Sequence, residues 1–325
     1  MPALSACKKE AKLERIRVGY FPNLTHGQAL IGIANGKFRQ AMGGLPVETK
    51  IFNAGPSAVE ALFAGAVDLT YIGPSPAINA YVKSNGDFKI IAGAASGGAA
   101  LVVREDSGIK TVKDFEGKKI ATPQLGNTQD VSARAWLKAN GLEVREKGGK
   151  VDMIPVANPD QLTLFIKKEL DGAWTVEPWT TRLVQEGGGR IYMNESEVWK
   201  AITGGKFATA VILTSGKFLK QNPDVIKKWV AAHNELTGWI RQNPDEAKRI
   251  INGEIKKFTG KALPEKVLND SFKNIEYTSD PIRDSIVQSG KWAFEQGFLG
   301  KQEPDLSGIC DLAILDQVSG AAVKK

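Results

Sequence analysis

Cysteine and histidine are almost missing from this chain. Cys7, Cys310, His26 and His233 are the only two of each in 325 residues. They form no CxxC, HExxH or other ligand-spaced cluster, which argues against a zinc site. There is no GxxxxGK[ST] phosphate loop, and no GxGxxG between a strand and a helix, so neither nucleotide fingerprint is available. The GxSxG elbow of the α/β hydrolases is also missing. No uninterrupted apolar run reaches the ~18 to 20 residues of a membrane-spanning helix. Charge of one sign is in short supply too: Lys+Arg 43 against Asp+Glu 36 gives +7. The excess lies in scattered pairs such as Lys118-Lys119, Lys167-Lys168 and Lys227-Lys228, which read as solvated surface, so no nucleic-acid partner is expected. A mild positive field still favours capture of an anion. With 42% hydrophobic and 24% charged residues, the composition is that of a globular chain long enough for two domains.

What is present is a pattern that occurs twice. Ser57–Ala80 reads as a short helix, Asp68, an apolar strand, a Pro-containing bend and a new helix; Gln161–Leu183 repeats this with Asp171. The repeat extends upstream. The strand Ile16–Tyr20, the bend Pro22–His26 and the helical Gly27–Asn35 match Lys119–Thr122, Pro123–Asn127 and Thr128–Asn140. Val47–Phe52 with the turn Asn53-Ala54-Gly55-Pro56 matches Val151–Val156 with the turn Ala157-Asn158-Pro159. Each half is β-α-β-α-β-α, which favours parallel strands, right-handed crossovers and helices on both sheet faces. Two such units predict an α/β protein of two lobes with a ligand cleft between them.

The expected boundaries are a tether over 1–15, a first lobe over 16–103, a second lobe with its connector over 104–206, and a return to the first lobe over 207–325. The apolar strand Phe207–Thr214 is expected beside Ala99–Val103 as the second of two hinge crossings, with Ser96-Gly97-Gly98 as a hinge. Asn222-Pro223, Asn243-Pro244, Leu263-Pro264 and Asp280-Pro281 each announce a helix, and these four helices are expected to pack on the first lobe. Val225, Ile226, Trp229, Val230, Leu236, Trp239 and Ile240 share one face at helical spacing. His233 on this block reads as structural.

Leu4-Ser5-Ala6-Cys7 resembles the lipobox of bacterial lipoproteins, and Lys8–Glu14 reads as a charged tether. The charged and apolar regions of an export signal are largely absent from this sequence. The reading is an exported lipoprotein anchored at Cys7; a chance match, or a disulfide from Cys7 to Cys310, are the competing readings.

In open α/β sheets ligands bind beyond the carboxyl ends of the strands. The candidate ligand-binding residues there are Asn23, Thr25, His26, Ser57, Ser75, Ser96, Gly97, Asn127, Thr128, Trp174 and Glu177. Several open a helix, where free N–H groups and the positive dipole end favour an anion. Ser57, Ser75, Asn127 and Thr128 add side-chain donors, with N-capping as the alternative role for each. His26 either donates to an anion or satisfies its own loop. Trp174 walls the pocket or packs in the core. Glu177 accepts from an ammonium on the ligand or serves as a first-turn acid. Tyr20, Phe21 and Tyr71 are candidates for further wall, Tyr71 more naturally as sheet core.

IRVGYFPNLTHGQALIGIANGKF, AVEALFAGAVDLTYIGPSPAINAY, TVKDFEGKKIATPQLGNTQDVSARAWL and DGAWTVEPW together resemble the nitrate/sulfonate/taurine group of ABC-transporter substrate-binding proteins. The resemblance runs in order from Ile16 to Thr214 and continues more loosely beyond. It implies a type II periplasmic-binding fold and an exported receptor in the periplasm or at the cell surface; the two lobes joined by two crossings are read as a monomeric clamp. Such a receptor delivers a small sulfonate or related anion or zwitterion to a membrane permease, without catalysis or cofactor. Alternatives are the same role for a thiamine-type pyrimidine, a riboflavin-like ring, nitrate or bicarbonate. A further alternative is an enzyme on this fold, chorismate-dehydratase-like or pyrimidine-synthase-like, which would want clustered His or Cys or a clear acid/base pair.

Overall fold

The computed structural model describes residues 13–320. The lipobox-like tetrapeptide and any pairing of Cys7 with Cys310 lie outside the described residues. The first half of the chain alternates β1 (Ile16–Tyr20), α1 (Gly27–Ala34), α2 (Lys37–Met42), β2 (Val47–Ile51), α3 (Gly55–Phe63), β3 (Leu69–Ile72), α4 (Pro74–Lys83), β4 (Phe88–Gly97) and β5 (Ala99–Arg104). The second half repeats the alternation as β6 (Lys119–Thr122), α5 (Thr128–Ala139), β7 (Asp152–Pro155), α6 (Asn158–Ile166), β8 (Gly172–Val176), α7 (Trp179–Gln185), β9 (Gly189–Asn194), α8 (Glu195–Thr203) and β10 (Ala208–Ser215).

These strands form two sheets, ordered β11-β4-β10-β3-β1-β2 and β7-β6-β8-β5-β9, where β11 is Ile275–Tyr277. β1 pairs parallel with β2 and β3, and β6 pairs parallel with β7 and β8. The repeat read in the sequence is physical. Asp68 accepts from the Arg17 backbone N–H of β1 at 2.7 Å, and Asp171 accepts from the Lys119 backbone N–H of β6 at 2.9 Å. Each acid therefore ties the loop before the third strand of its unit to the start of the first.

One expectation is corrected here. Phe207–Thr214 does not lie beside Ala99–Val103. β10 inserts antiparallel between β3 and β4 of the first sheet, while β5, expected to close the first lobe, inserts antiparallel between β8 and β9 of the second. Each sheet takes one antiparallel strand from across the hinge, because a crossing strand satisfies its N–H and C=O groups best inside the sheet it enters. Both sheets are consequently mixed. The crossing turns on Gly97 and Gly98, whose φ angles of +77° and +70° favour glycine.

The C-terminal block comprises α9 (Gly216–Gln221), α10 (Pro223–Gln242), α11 (Pro244–Thr259), α12 (Glu265–Lys273), α13 (Arg283–Glu295) and α14 (Ala313–Ser319). α10 buries Ile226, Trp229, Val230, Leu236 and Ile240 against the first lobe, with Trp229 stacked on Phe38 at 3.8 Å between centroids. His233 is buried there, bonded to Gly93 O at 2.8 Å and Tyr71 Oη at 3.1 Å. Not all of the block stays on the first lobe as expected. α12 also packs on α7, and α13 lies between α4 on one side and α5 and α8 on the other. The reason is apolar surface at the lobe boundary: Trp292 of α13 meets Trp199 of α8 at 4.6 Å, and Trp199 stacks on Phe207.

Candidate functional site

A small cavity of about 30 Å³ lies where strand ends of both sheets meet. Its first-lobe wall is Phe21, Asn23, Thr25 and His26 after β1, Asn53–Gly55 after β2, and Gly73 and Pro76 after β3. Its second-lobe wall is Pro123, Asn127, Thr128 and Gln129 after β6, Asn158 after β7, and Val176 at the end of β8, with Thr209 of β10 completing the ring. A void of this size exceeds the ~10–15 Å³ a water needs, and the lobes meet around it. Ser75 N–H donates to Thr128 Oγ1 at 3.3 Å, and Trp179 Nε1–H donates to Asn23 Oδ1 at 3.2 Å, both across the lobe boundary.

Local sequence explains why these groups point here. α3 and α6 each start with Pro at the first or second position, and α4 starts at Pro74 after Gly73. A proline there loses no helical hydrogen bond and fixes the entry of the chain. α5 starts after Asn127, whose Oδ1 accepts from Asp130 N–H at 2.9 Å. Four helix starts thus face one cavity; first-turn N–H groups have no partner within a helix, although in α4 Pro74 and Pro76 carry no N–H and that of Ser75 already donates to Thr128.

No Lys, Arg, Asp or Glu lines the cavity. Its one titratable side chain is His26, held well below its ordinary range at about 3 by burial. Its Nδ1 accepts from Phe21 N–H at 3.2 Å, and its ring stacks on Phe21 at 4.5 Å. A neutral His26 therefore carries its proton on Nε2, so its loop role and a donor role are compatible. A buried ion pair sits behind the second-lobe loop. Asp130 accepts from Gly126 N–H, Thr122 Oγ1 and Arg134 Nε, each at 2.9 Å, and Arg134 neutralises it.

Of the sequence candidates, Asn23, Thr25, His26, Asn127 and Thr128 are brought together in this cavity. Ser75 is buried just behind the wall, its backbone N–H on Thr128 and its Oγ without a partner among the described residues. Five others, and part of the expected wall, are elsewhere. Ser57 is the third residue of α3, not its start, and does not line the cavity. Ser96 accepts from Phe207 N–H at the hinge, and Gly97 lines a separate groove behind the hinge. Trp174 is core: its Nε1–H donates to buried Glu195 at 2.7 Å and it packs against Trp136. Glu177 also faces that groove, accepting from Thr181 Oγ1 at 2.9 Å, Thr181 N–H at 3.2 Å and Asn274 Nδ2 at 2.7 Å. Alternation decides this, since Val176 takes the cavity side and its neighbour the other. Phe21 joins the wall as expected, whereas Tyr20 and Tyr71 are sheet core.

Asn53, Gln129, Asn158 and Thr209 line the cavity without having been singled out from the sequence. Asn53 and Asn158 occupy the two matched turns of the repeat, which was the available signal. Thr209 had none, because its position depends on where β10 inserts.

Two sheets that exchange a strand and enclose a small polar cavity at their carboxyl ends define a two-lobed α/β clamp with the type II periplasmic-binding fold. Residues 9–253 match the NMT1-like family, and the chain belongs to that family. A putative aliphatic sulfonates-binding protein of Bacillus subtilis is 28% identical over 283 residues, covering 86% of this chain and 79% of that protein. The taurine-binding periplasmic protein of Escherichia coli is 25% identical over 266 residues, covering 78% of this chain and 79% of its own. Among solved structures, the alkanesulfonate-binding protein SsuA from Xanthomonas axonopodis pv. citri, bound to MOPS, superposes with a TM-score of 0.74 at 18% identity. That match covers 90% of this chain and 96% of the other. The nitrate-binding protein NrtA from Synechocystis PCC 6803 gives 0.71 at 16% identity over 94% of this chain and 86% of the other.

Proposed function

We propose that this protein is the extracytoplasmic solute receptor of an ABC importer and that it captures a small sulfonate or related anion between its lobes. The observation that carries the reading is the cavity lining: neutral donors and four helix starts, with no charged side chain. Converging N–H groups and positive dipole ends favour an anion there, and the absence of an acidic residue spares it repulsion. The relatives named for sulfonates and taurine support the same ligand class. The small cavity favours a compact head group over a riboflavin-like ring.

A zwitterion is less well served than a bare anion, because Glu177, the expected partner of an ammonium, faces the groove behind the hinge. Catalysis is not proposed: the one titratable lining group is a buried neutral His26 with no acid or base beside it in the cavity. A membrane permease is the partner the role requires.

Titration calorimetry and melting curves with ethanesulfonate, taurine and nitrate test this. Ethanesulfonate should bind more tightly than taurine and raise the melting temperature; at a hundred times its Kd the stabilisation is about 2.7 kcal/mol. No response to any of the three anions would defeat the reading.

A further inference from the structure

We propose that Phe298 is a closure-linked positioning residue: it orders the cavity loop Pro123–Thr128 through Arg134 and Asp130. This rests on reading that loop as part of the ligand cavity. The loop is held from behind by Asp130, fully buried, which accepts from Gly126 N–H and Thr122 Oγ1 at 2.9 Å each. Arg134 fixes the same carboxylate at 2.9 Å and reaches Glu146 with its other end.

The guanidinium of Arg134 lies against the Phe298 ring, 5.9 Å from its centroid. The same ring covers Gly126, whose φ is +72° and whose added Cβ would lie 3.5 Å from it. Phe298 sits at the lobe boundary. It follows α13, which lies between α4 of the first lobe and α5 and α8 of the second, and its own carbonyl ties it to the first lobe by accepting from Asn79 Nδ2 of α4 at 3.2 Å. Beside it, Gln296 O and Oε1 accept from Lys147 Nζ of the second lobe at 3.0 and 3.1 Å.

One ring, on a residue anchored to α4 through its own carbonyl, therefore touches both the cation that sets Asp130 and the glycine that Asp130 holds. When the lobes part, α4 carries Phe298 away, and water reaches Arg134 and the Gly126 amide. Loop order and closure are then one event, and the ring retards opening more than it speeds encounter.

Hydrogen exchange and stopped-flow binding of ethanesulfonate test the proposal with Phe298→Ala, Phe298→Leu and Phe298→Tyr. In Phe298→Ala the amides of 123–128 should exchange several-fold faster while those of 16–20 are unchanged. The ethanesulfonate off-rate should rise roughly fivefold to tenfold, the scale of a lost cation–π contact, with the on-rate within about twofold. Phe298→Tyr should behave as the parent, and Phe298→Leu should fall between the two and stand in if the alanine variant does not fold. Unchanged exchange over 123–128 in both Phe298→Ala and Phe298→Leu would overturn the proposal. If ethanesulfonate does not bind the parent protein, the ligand reading fails while the exchange arm still decides this one.

Discussion

Gly73→Ala should act as a wedge between the lobes. Gly73 precedes α4 with φ −72° and ψ 156°, a conformation alanine adopts freely. Its added Cβ would lie 2.3 Å from Thr128 Oγ1, 3.3 Å from Thr128 Cβ and 3.7 Å from Thr209 O. Thr128 belongs to the other lobe and is β-branched, so of its three χ1 rotamers only the one that turns Hβ toward the added methyl relieves the contact, and it gives up the bond from Ser75 N–H while Thr128 Cβ stays at 3.3 Å. Overpacking of this kind costs about 1–3 kcal/mol, which corresponds to roughly fivefold to 150-fold weaker closure. The lobes are unaffected when apart, so ligand-free stability should change by less than about 0.5 kcal/mol. Thr128→Ala alone forfeits the bond from Ser75 N–H, about 0.5 to 1.5 kcal/mol, yet it removes the obstructing atoms. The double variant Gly73→Ala/Thr128→Ala should therefore bind ethanesulfonate more tightly than Gly73→Ala. Calorimetry gives the affinities, and small-angle scattering at saturating ethanesulfonate should show compaction lost in Gly73→Ala and regained in the double variant. Affinity of Gly73→Ala within twofold of the parent, or a double variant no better than the single, would refute the reasoning.

Acid should destabilise the protein well above the carboxylate range. Burial holds His26 at about 3 and His233 at about 4, below the ordinary 6.5, so the unfolded chain takes up protons that the folded one refuses. The stabilisation is complete above about pH 6.5 and is lost as pH falls, by about 2 kcal/mol per histidine at pH 5. Glu195, raised by burial, works in the opposite direction, so the clean measurement is a difference. Urea melts at pH 7 and pH 5 should show a smaller acid loss in His233→Gln than in the parent, and equal losses would remove the histidine account. If Cys7 is the lipid attachment site, the full precursor expressed in a bacterium should partition with membranes and Cys7→Ala should be released. Equal partitioning of the two would end the lipoprotein reading and leave the receptor reading standing.

The strands were legible in the sequence because their signals are local. Ile16–Tyr20 and Lys119–Thr122 coincide with the strands found, and the matched turns at Asn53–Pro56 and Ala157–Pro159 sit where the repeat placed them. Strand partnership was not local. FATAVILT is apolar enough for either sheet, and only the sheet order reveals that β10 enters the first and β5 the second. The same divide separates the candidates that line the cavity from those that do not. Asn23, Thr25, His26, Asn127 and Thr128 follow strands directly, so position alone located them. Trp174 and Glu177 depended on which face of a strand end looks into the cavity. Trp174 points to the Glu195 network and Glu177 to Asn274, choices fixed by neighbours remote in the chain.

A cavity without a cation must hold an anion by summed partial charges, and the surrounding charges are arranged so as not to oppose this. Transferring a lone anion from water is costly unless every lone pair finds a donor. Helix starts supply such donors already oriented. Two acids could spoil the field. Asp130 stands directly behind the cavity loop, but Arg134 at 2.9 Å cancels its charge while leaving it free to hold Gly126. Glu177 closes the end of β8, but three donors hold it on the far side of the hinge. His26, the remaining titratable neighbour, is pushed down to about 3 by burial and is neutral in the neutral pH range. The lining therefore carries the same charge throughout the neutral range, and under the proposed function discrimination among anions falls to shape and to donor placement, with Ser75 N–H meeting Thr128 Oγ1 across the lobes at 3.3 Å.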